Sequence, residues 1–385
     1  MICKKALMAC GNYWTSPLRV GSHQIANALV QMEWEVAFIS DPISPLHLLG
    51  GVDLAIRFSY YRHGGIKFLD DKLWAYIPGA LFTPQNKPFL RNEWVNRSWQ
   101  RFTFPKVASV VAQKGFDDVD LLYFDSFSQP FWLEAIHYRK SIFRIADRLI
   151  SYPKATGATQ FILRDMAKKV DAVVYSAVSL QSYVDSLSPK KTYYVPNGVD
   201  FFHFSDRSYS MPPEYKNIPQ PRVIYLGALD IWFDYNLVEY AAKQLPQVSF
   251  VLVGPDQFAR TQFKKKLSNL YLMGSRSYDV APAYLHYADV GIIPFDVHHH
   301  ASLINNVNPL KLYEYLACGL PVVAVSWDEL KRLSPPALLS ETKEQFIEDI
   351  LKSINTPGAR DERIHFAQQA DWSQRLTSLL QQFEL

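Results

Sequence analysis

Cysteine is scarce in this chain. Its three cysteines, Cys3, Cys10 and Cys318, are too few and too scattered in 385 residues for a disulfide framework or a zinc knuckle. A reducing compartment is the simplest setting for that usage. An excess of one charge is lacking too: 40 Lys and Arg face 37 Asp and Glu, and a formal net charge of +3 does not identify a nucleic-acid binder. No uninterrupted apolar run approaches the ~18–20 residues of a membrane span. The N-terminal Met1–Cys10 carries two lysines, but its apolar run falls short of the ~7–15 residues of a signal core, and polar Gly11-Asn12 follows. It reads as a buried first strand, and the chain is expected in the cytoplasm or on the membrane from that side. Repeats are lacking, as are low-complexity tracts beyond His298–His300.

What is present excludes wholesale disorder: 48% hydrophobic, 14% aromatic and 20% charged residues describe a packed globular protein. At ~150 residues per domain the length predicts two to three domains. Short apolar runs alternate with helical stretches, which predicts an α/β protein with largely parallel sheets. Strands are expected at Ala6–Cys10, Val36–Ser40, Val52–Phe58, Leu121–Phe124, Ser141–Ile145, Ala172–Ser176 and Thr192–Val195, with helices over Gly21–Met32 and Thr159–Lys169. Tyr60–Lys106 has no clean period. Asp200–Pro221, with four prolines and little apolar pattern, reads as the domain boundary. A second α/β set follows: strands Arg222–Leu226, Ser249–Val253, Leu270–Met273, Val290–Pro294 and Pro321–Val325, and helices Tyr235–Gln244, Pro282–Tyr287 and Pro309–Cys318. A helical tail covers Thr342–Leu385. The expected architecture is two doubly wound, Rossmann-like domains facing across a cleft, 1–199 and 200–365, with a C-terminal helix 366–385 crossing back to the first.

In such sheets ligands bind beyond the carboxyl ends of strands, at helix N-termini. The most informative stretch is therefore Asn305–Ala324. Asn308 fits an N-cap, Pro309 a first helical residue and Gly319 a left-handed C-cap. Lys311 and Glu314, three apart, share one helix face. A lysine in the first turn is unfavourable beside the positive helix end unless an anion binds there. A carboxylate one turn on suits vicinal hydroxyls. The pair fits a nucleoside diphosphate, Lys311 on the pyrophosphate and Glu314 on the ribose; the plain alternative is a surface Glu–Lys pair.

Pro309-Leu-Lys-Leu-Tyr-Glu-Tyr-Leu-Ala-Cys-Gly-Leu-Pro-Val-Val323 resembles the donor-site signature of GT-B glycosyltransferases that use sugar nucleotides. Tyr225–Asp234 resembles the opening strand and Gly loop of that donor domain. Phe250–Pro255 and Tyr278–Pro294 are similar to its later segments in the same order, and Val195–Asp200 to the crossing between its domains. The resemblance implies donor contacts at Gly227, Arg276, Tyr278, Asn308, Lys311 and Glu314. Two departures stand out. Where the large retaining family usually has a second Glu, this chain has Asn306, and its first donor loop, Gly227-Ala228-Leu229, lacks the Arg often found there. The stereochemical outcome is therefore not carried over. Arg276 is either a replacement for that charge or a solvated loop residue.

In the first half, Phe143-Arg-Ile-Ala-Asp-Arg-Leu149 is similar to the segment holding the proposed base in the xanthan-type exopolysaccharide glucuronosyltransferase family. The resemblance places Asp147 at that base, with Arg19 and His23 fitting the same acceptor domain. Asp147 follows a buried run and so sits at a strand's carboxyl end, where a carboxylate can take a proton from an acceptor hydroxyl; the alternative is a helix N-cap. His23 reads as a phosphate or acceptor contact, or as a hydrogen-bonded structural histidine. Asp118-Val-Asp120 has the letters of a metal-binding DxD, but precedes its strand. No metal and no cofactor are expected, because a helix dipole and a lysine can neutralise a leaving diphosphate.

Between Trp74 and Lys106, eight aromatics (Trp74, Tyr76, Phe82, Phe89, Trp94, Trp99, Phe102 and Phe104) interleave with Lys87, Arg91, Arg97, Arg101 and Lys106 against the single acid Glu93. That pattern suits an anionic bilayer interface; aromatics packing an insertion in the first domain is the alternative. The expected protein is a metal-independent glycosyltransferase. It would take a nucleotide-sugar donor, UDP-linked above all, and a saccharide or polyprenyl-diphosphate-linked saccharide acceptor of a surface or exported polysaccharide, with no nucleic-acid partner. A sugar-nucleotide epimerase on the same fold and a non-catalytic sugar-nucleotide-binding scaffold are the alternatives.

Overall fold

The computed structural model describes residues 3–17, 19–49, 53–84, 87, 89–151, 157–263 and 267–385. Among them the chain forms two compact units. The first comprises the residues up to Ser16, Ser22–Pro196 and Leu376–Leu385; the second comprises Pro17–Gly21 and Asn197–Arg375.

The first unit is built on β1 (Lys5–Cys10), β2 (Glu35–Ser40), β3 (Ile66–Phe68), β4 (Leu73–Tyr76), β5 (Asp118–Phe124), β6 (His137–Ile145), β7 (Ala172–Tyr175) and β8 (Thr192–Tyr194). Their order is 3-4-2-1-5-6-7-8, and only β3 runs antiparallel to its neighbour. In β1 and β2 every residue after the first is buried, as in a parallel sheet covered on both faces. That is why these strands read as unbroken apolar runs with no alternation. The order reverses between β1 and β5, the place where an open sheet leaves a crevice at its carboxyl edge.

The second unit repeats the plan with β9 (Arg222–Leu226), β10 (Ser249–Val253), β11 (Leu270–Gly274), β12 (Val290–Ile293), β13 (Val322–Val325) and β14 (Leu338–Ser340), ordered 11-10-9-12-13-14 and parallel throughout. Its reversal lies between β9 and β12. One buried cluster runs from Val199 to Ala370 and includes Tyr225, Phe233, Tyr313 and Tyr315. The α/β class with two largely parallel sheets is thus as the sequence predicts.

Several local expectations differ. The segment expected as strand Val52–Phe58 is the helix Leu54–Arg62, Val52 itself lying outside the described residues. The stretch without a clean period contains β3 and β4, and Trp74 and Tyr76 are core residues of the first unit. The tail is helical as expected, in three helices, Lys343–Asn355, Arg360–Gln368 and Trp372–Gln382.

Candidate functional site

The second unit gathers its loops at the carboxyl ends of β9, β10 and β12. Gly227, just past β9, donates its N–H to Val253 O at 2.9 Å, and Gly254, just past β10, donates to Gly274 O at 3.0 Å. Gly254 has φ +154°, and a Cβ there would fall 1.8 Å from Gly227 O, so the two loops approach as closely as backbone permits. Beyond Gly227 the loop is tied to the exit of β12: Asp234 N donates to Pro294 O and Asp296 N to Trp232 O, both at 2.8 Å. Asp234 then caps the helix Tyr235–Gln244 by accepting Leu237 N at 2.8 Å.

The helix Leu310–Ala317 enters this edge N-terminus first. Tyr315 fixes its position. Its hydroxyl accepts Leu226 N at 2.7 Å, and its ring packs where Gly291 of β12 leaves room for no Cβ. Pro309, extended at φ −81° and ψ 122°, holds the cap position, and Leu310 is the first helical residue. The expected cap is thus shifted by one residue, since proline fixed in the extended region ahead of the first turn displaces Asn308 outward. Asn308 is buried, and its carbonyl accepts Asn197 Nδ2 at 2.7 Å.

Lys311 and Glu314 project from this helix with partial exposure. The Lys311 ammonium lies 4.8 Å from the Phe295 ring centroid and 5.2 Å from that of Tyr225, in cation–π range of both. A Cβ on Gly227 would fall 3.1 Å from Lys311 Cε and 3.5 Å from Nζ, so Gly227 gives the ammonium its room. Among the described residues Lys311 has no ion pair or side-chain hydrogen bond. Close packing pushes its pKa down and that of Glu314 up, each opposed by the other's charge. A cation with Glu314 one turn on but no hydrogen bond or close ion pair among the described residues, at a helix start among tight glycine loops, has donors left over for a diphosphate. Sequence reasoning found the lysine and the glycine; it missed Tyr225 and Phe295, whose signal was an aromatic at or just past the end of a buried strand.

Arg276 is placed otherwise than the resemblance implies. Its guanidinium bonds Glu214 at 2.8 Å, the Tyr284 hydroxyl at 2.7 Å and the Met273 and Ser275 carbonyls. These partners make it a strut between the loop after β11 and the turn at Pro213–Asn217, and spend its charge on Glu214. Tyr278 stacks on His203 at 4.4 Å and accepts its Nε2 on the backbone oxygen. Arg19, grouped with the second unit, has its guanidinium 5.8 Å from the Tyr278 ring centroid.

In the first unit Asp147 stands two residues past β6, partly exposed at the sheet's carboxyl edge. Its charge acts on Arg144, which pairs with Asp125 at 2.9 Å and is nearly inaccessible. His23 is a correction. It is 1% exposed, with its ring near Trp14 and Phe38 and Nε2 on Tyr13 O at 3.0 Å, so packing has closed it off from any solvent-borne phosphate. Asp118 and Asp120 begin β5, and Asp120 accepts Lys5 N at 2.9 Å, at the edge opposite the crevice.

The basic–aromatic stretch divides. Trp74, Tyr76 and Trp99 are buried, and Trp99 donates to Ser128 O at 2.7 Å. Phe89, Trp94 and Phe104 are exposed, Phe89 at 88%, as are Lys87, Arg91, Arg101 and Lys106. Arg97 is taken up by Glu93 and Asp165. No helix among the described residues is long and apolar enough to cross a membrane.

Comparison with known proteins adds to this geometry. Residues 8–176 match the family described as glucuronosyltransferase GumK, N-terminal domain, and residues 220–355 match glycosyl transferases group 1. A putative teichuronic acid biosynthesis glycosyltransferase, TuaH of Bacillus subtilis, is 28% identical over 179 residues, 44% of this chain and 44% of that protein. Sucrose-phosphate synthase from Thermosynechococcus elongatus superposes with a TM-score of 0.69 at 16% identity over 99% of both chains. HepE from Anabaena, solved with UDP and glucose, gives 0.65 at 16% identity over 98% of this chain and 100% of its own. With both halves matched in chain order and the two-sheet fold shared, this chain has the GT-B fold and is similar to glycosyltransferases in both halves.

Proposed function

We propose that the chain moves a sugar from a UDP-sugar to a hydroxyl of a saccharide, or of a polyprenyl-diphosphate-linked saccharide, in the assembly of a cell-surface or exported polysaccharide. The observation that carries this is the Lys311 ammonium held between Tyr225 and Phe295 beside Gly227, with no hydrogen bond or ion pair of its own among the described residues. Likeness to HepE, whose structure holds UDP, supports a uridine donor. Likeness to TuaH supports a polysaccharide product.

The acceptor oxygen bonds the anomeric carbon as that carbon's bond to the diphosphate breaks. The bonding pair leaves with the diphosphate, and the hydroxyl proton passes to Asp147. Lys311 and the start of the Leu310–Ala317 helix stabilise the departing charge, and Glu314 accepts the ribose hydroxyls. No metal takes part. The exposed Phe89, Trp94 and Phe104 with Arg91, Arg101 and Lys106 hold the enzyme on anionic lipid, where a lipid-linked acceptor resides.

Calorimetry with UDP and a turnover assay in EDTA test the reading together. Lys311→Ala and Glu314→Ala are each expected to weaken UDP about tenfold or more, equivalent to ~1.4 kcal/mol, with an unchanged melting profile. Asp147→Asn should lower turnover by ~10²-fold or more at unaltered UDP affinity. Unchanged affinity in the first pair refutes the donor site, and wild-type turnover in the last removes Asp147 as base. UDP released without added saccharide would favour an epimerase.

A further inference from the structure

The first unit carries a second carboxylate at its carboxyl edge that the reading above does not use. Asp41 is the first residue past β2, and its N–H donates to Cys10 O, the last residue of β1, at 2.9 Å. On the other side of β1, the loop after β5 crosses over the end of that strand. Ser126 N donates to Ala9 O at 3.0 Å, and buried Gln129 Nε2 reaches Ile39 O at 3.1 Å and Cys10 O at 3.3 Å. This loop closes on one oxygen of Asp41: Oδ1 accepts Ser126 Oγ at 3.0 Å, Gln129 Nε2 at 3.1 Å and the Ser128 hydroxyl.

Oδ2 is different. Among the described residues it has no hydrogen-bond partner. It lies 3.9 Å from where a Cβ on Gly11 would stand, and among the described residues other than Gly11 and its two chain neighbours no other atom comes within 4 Å of that point. Gly11 and Asn12 are exposed, so the free oxygen borders open space above the end of β1. Arg57 sits behind it, its Nη2 donating to Asp41 O at 3.2 Å. Burial pushes the Asp41 pKa up, against the three donors and Arg57. Joining the loop to β2 requires one acceptor oxygen, which a neutral side chain supplies without the cost of a partly desolvated charge. What the carboxylate adds is the second, solvent-facing oxygen.

We infer that Asp41 Oδ2, with the exposed Gly11–Asn12 turn, is a hydroxyl-binding subsite for a sugar of the acceptor other than the one that reacts. The inference rests on the glycosyl-transfer reading. In the order β2-β1-β5-β6, Asp41 and Asp147 stand three strand spacings apart, about 14 Å at ~4.8 Å each. One pyranose ring does not bridge that span. The subsite therefore takes an acceptor of at least two sugar units, gripped at a remote ring while Asp147 faces the reacting hydroxyl.

Isothermal calorimetry of the full-length chain with a panel of neutral mono-, di- and trisaccharides tests it, with UDP titrated in parallel. Asp41→Asn keeps an oxygen for Ser126, Ser128 and Gln129 and replaces Oδ2 with a donor. Gly11→Val leaves Asp41 untouched and fills the space before it, which keeps the test sound should the first variant fold poorly. Wild-type chain is expected to bind an oligosaccharide of the panel more tightly than its component monosaccharides, and both variants to lose about tenfold or more of that affinity with UDP binding intact. Equal oligosaccharide affinity in wild type and the variants overturns the subsite, and so does a panel in which no saccharide binds the wild type. Failure of UDP to bind while the saccharide arm succeeds sinks the donor reading and leaves the subsite standing.

Discussion

Lys311 and Glu314 sit where protein and solvent both claim them, and their titration carries a signature in stability. Burial raises the Glu314 pKa in the folded chain above its unfolded value. The native state therefore holds more protons than the unfolded state between those two values, and stability falls as pH rises through that window. Lys311 is lowered by burial, so its window lies below the ordinary lysine value, and there stability rises with pH. The ligand-free chain is expected to lose melting temperature between about pH 4.5 and neutrality by an amount that Glu314→Gln removes. Thermal scans of the two proteins across that range check this. Parallel curves would show that Glu314 is not held in a desolvated setting.

Individual positions differ in how far the sequence revealed them. Lys311, Glu314 and Gly227 were legible because a helix start, a one-turn spacing and a glycine after a strand are local facts. Arg276 and His23 were not, because what occupies them is distant in sequence: Glu214 and Tyr284 for the arginine, Tyr13 and Phe38 for the histidine. Asp41 follows the predicted strand Val36–Ser40 directly, and the rule that picked out Asp147 would have found it.

At the level of elements, the carboxyl edge of the second unit depends on how β9, β10 and the Leu310–Ala317 helix are fastened to one another. The tightest point is Gly254 against the Gly227 carbonyl. Gly254→Ala must move one loop or the other, and at φ +154° it is strained in any case. It is expected to cost ~1–3 kcal/mol of stability and to weaken UDP by displacing Gly227 from Lys311. Denaturant unfolding and calorimetry read the two effects, and a variant with wild-type values in both would show that the loops are not locked together. The same scale shows why element type was misread at Val52–Phe58 and missed at β3 and β4. A short apolar run fits strand and helix alike, and β3 and β4, at three and four residues, are too short to display a period.

Across the molecule, the exposed rings and cations of the first unit are its most distinctive surface. Trp94 rests against Phe82 and Phe102, which holds it outward on a packed base. Phe89 and Phe104 are more exposed still, at 88% and 65%. Pelleting with phosphatidylglycerol vesicles is expected for the wild type and should weaken with salt. Reversing Arg91, Arg101 and Lys106 to Glu should reduce binding by about two orders of magnitude or more, at ~1 kcal/mol per cation. Arg97→Gln is the control expected to have little effect, because its charge is already spent on Glu93 and Asp165. Wild-type chain left in the supernatant would remove the lipid surface from the proposal.

The chain leaves the first unit at Pro196 and returns to it at Leu376. Phe383 lies 5.1 Å from Tyr193, and Leu376, Leu379 and Leu380 are buried. During translation the first unit therefore emerges early but waits for its last ten residues until the whole second unit has been synthesised. A gene fragment stopped at Pro196 would yield a protein with an uncovered apolar seam, because the helix Trp372–Gln382, whose end returns to the first unit, is encoded only after the second.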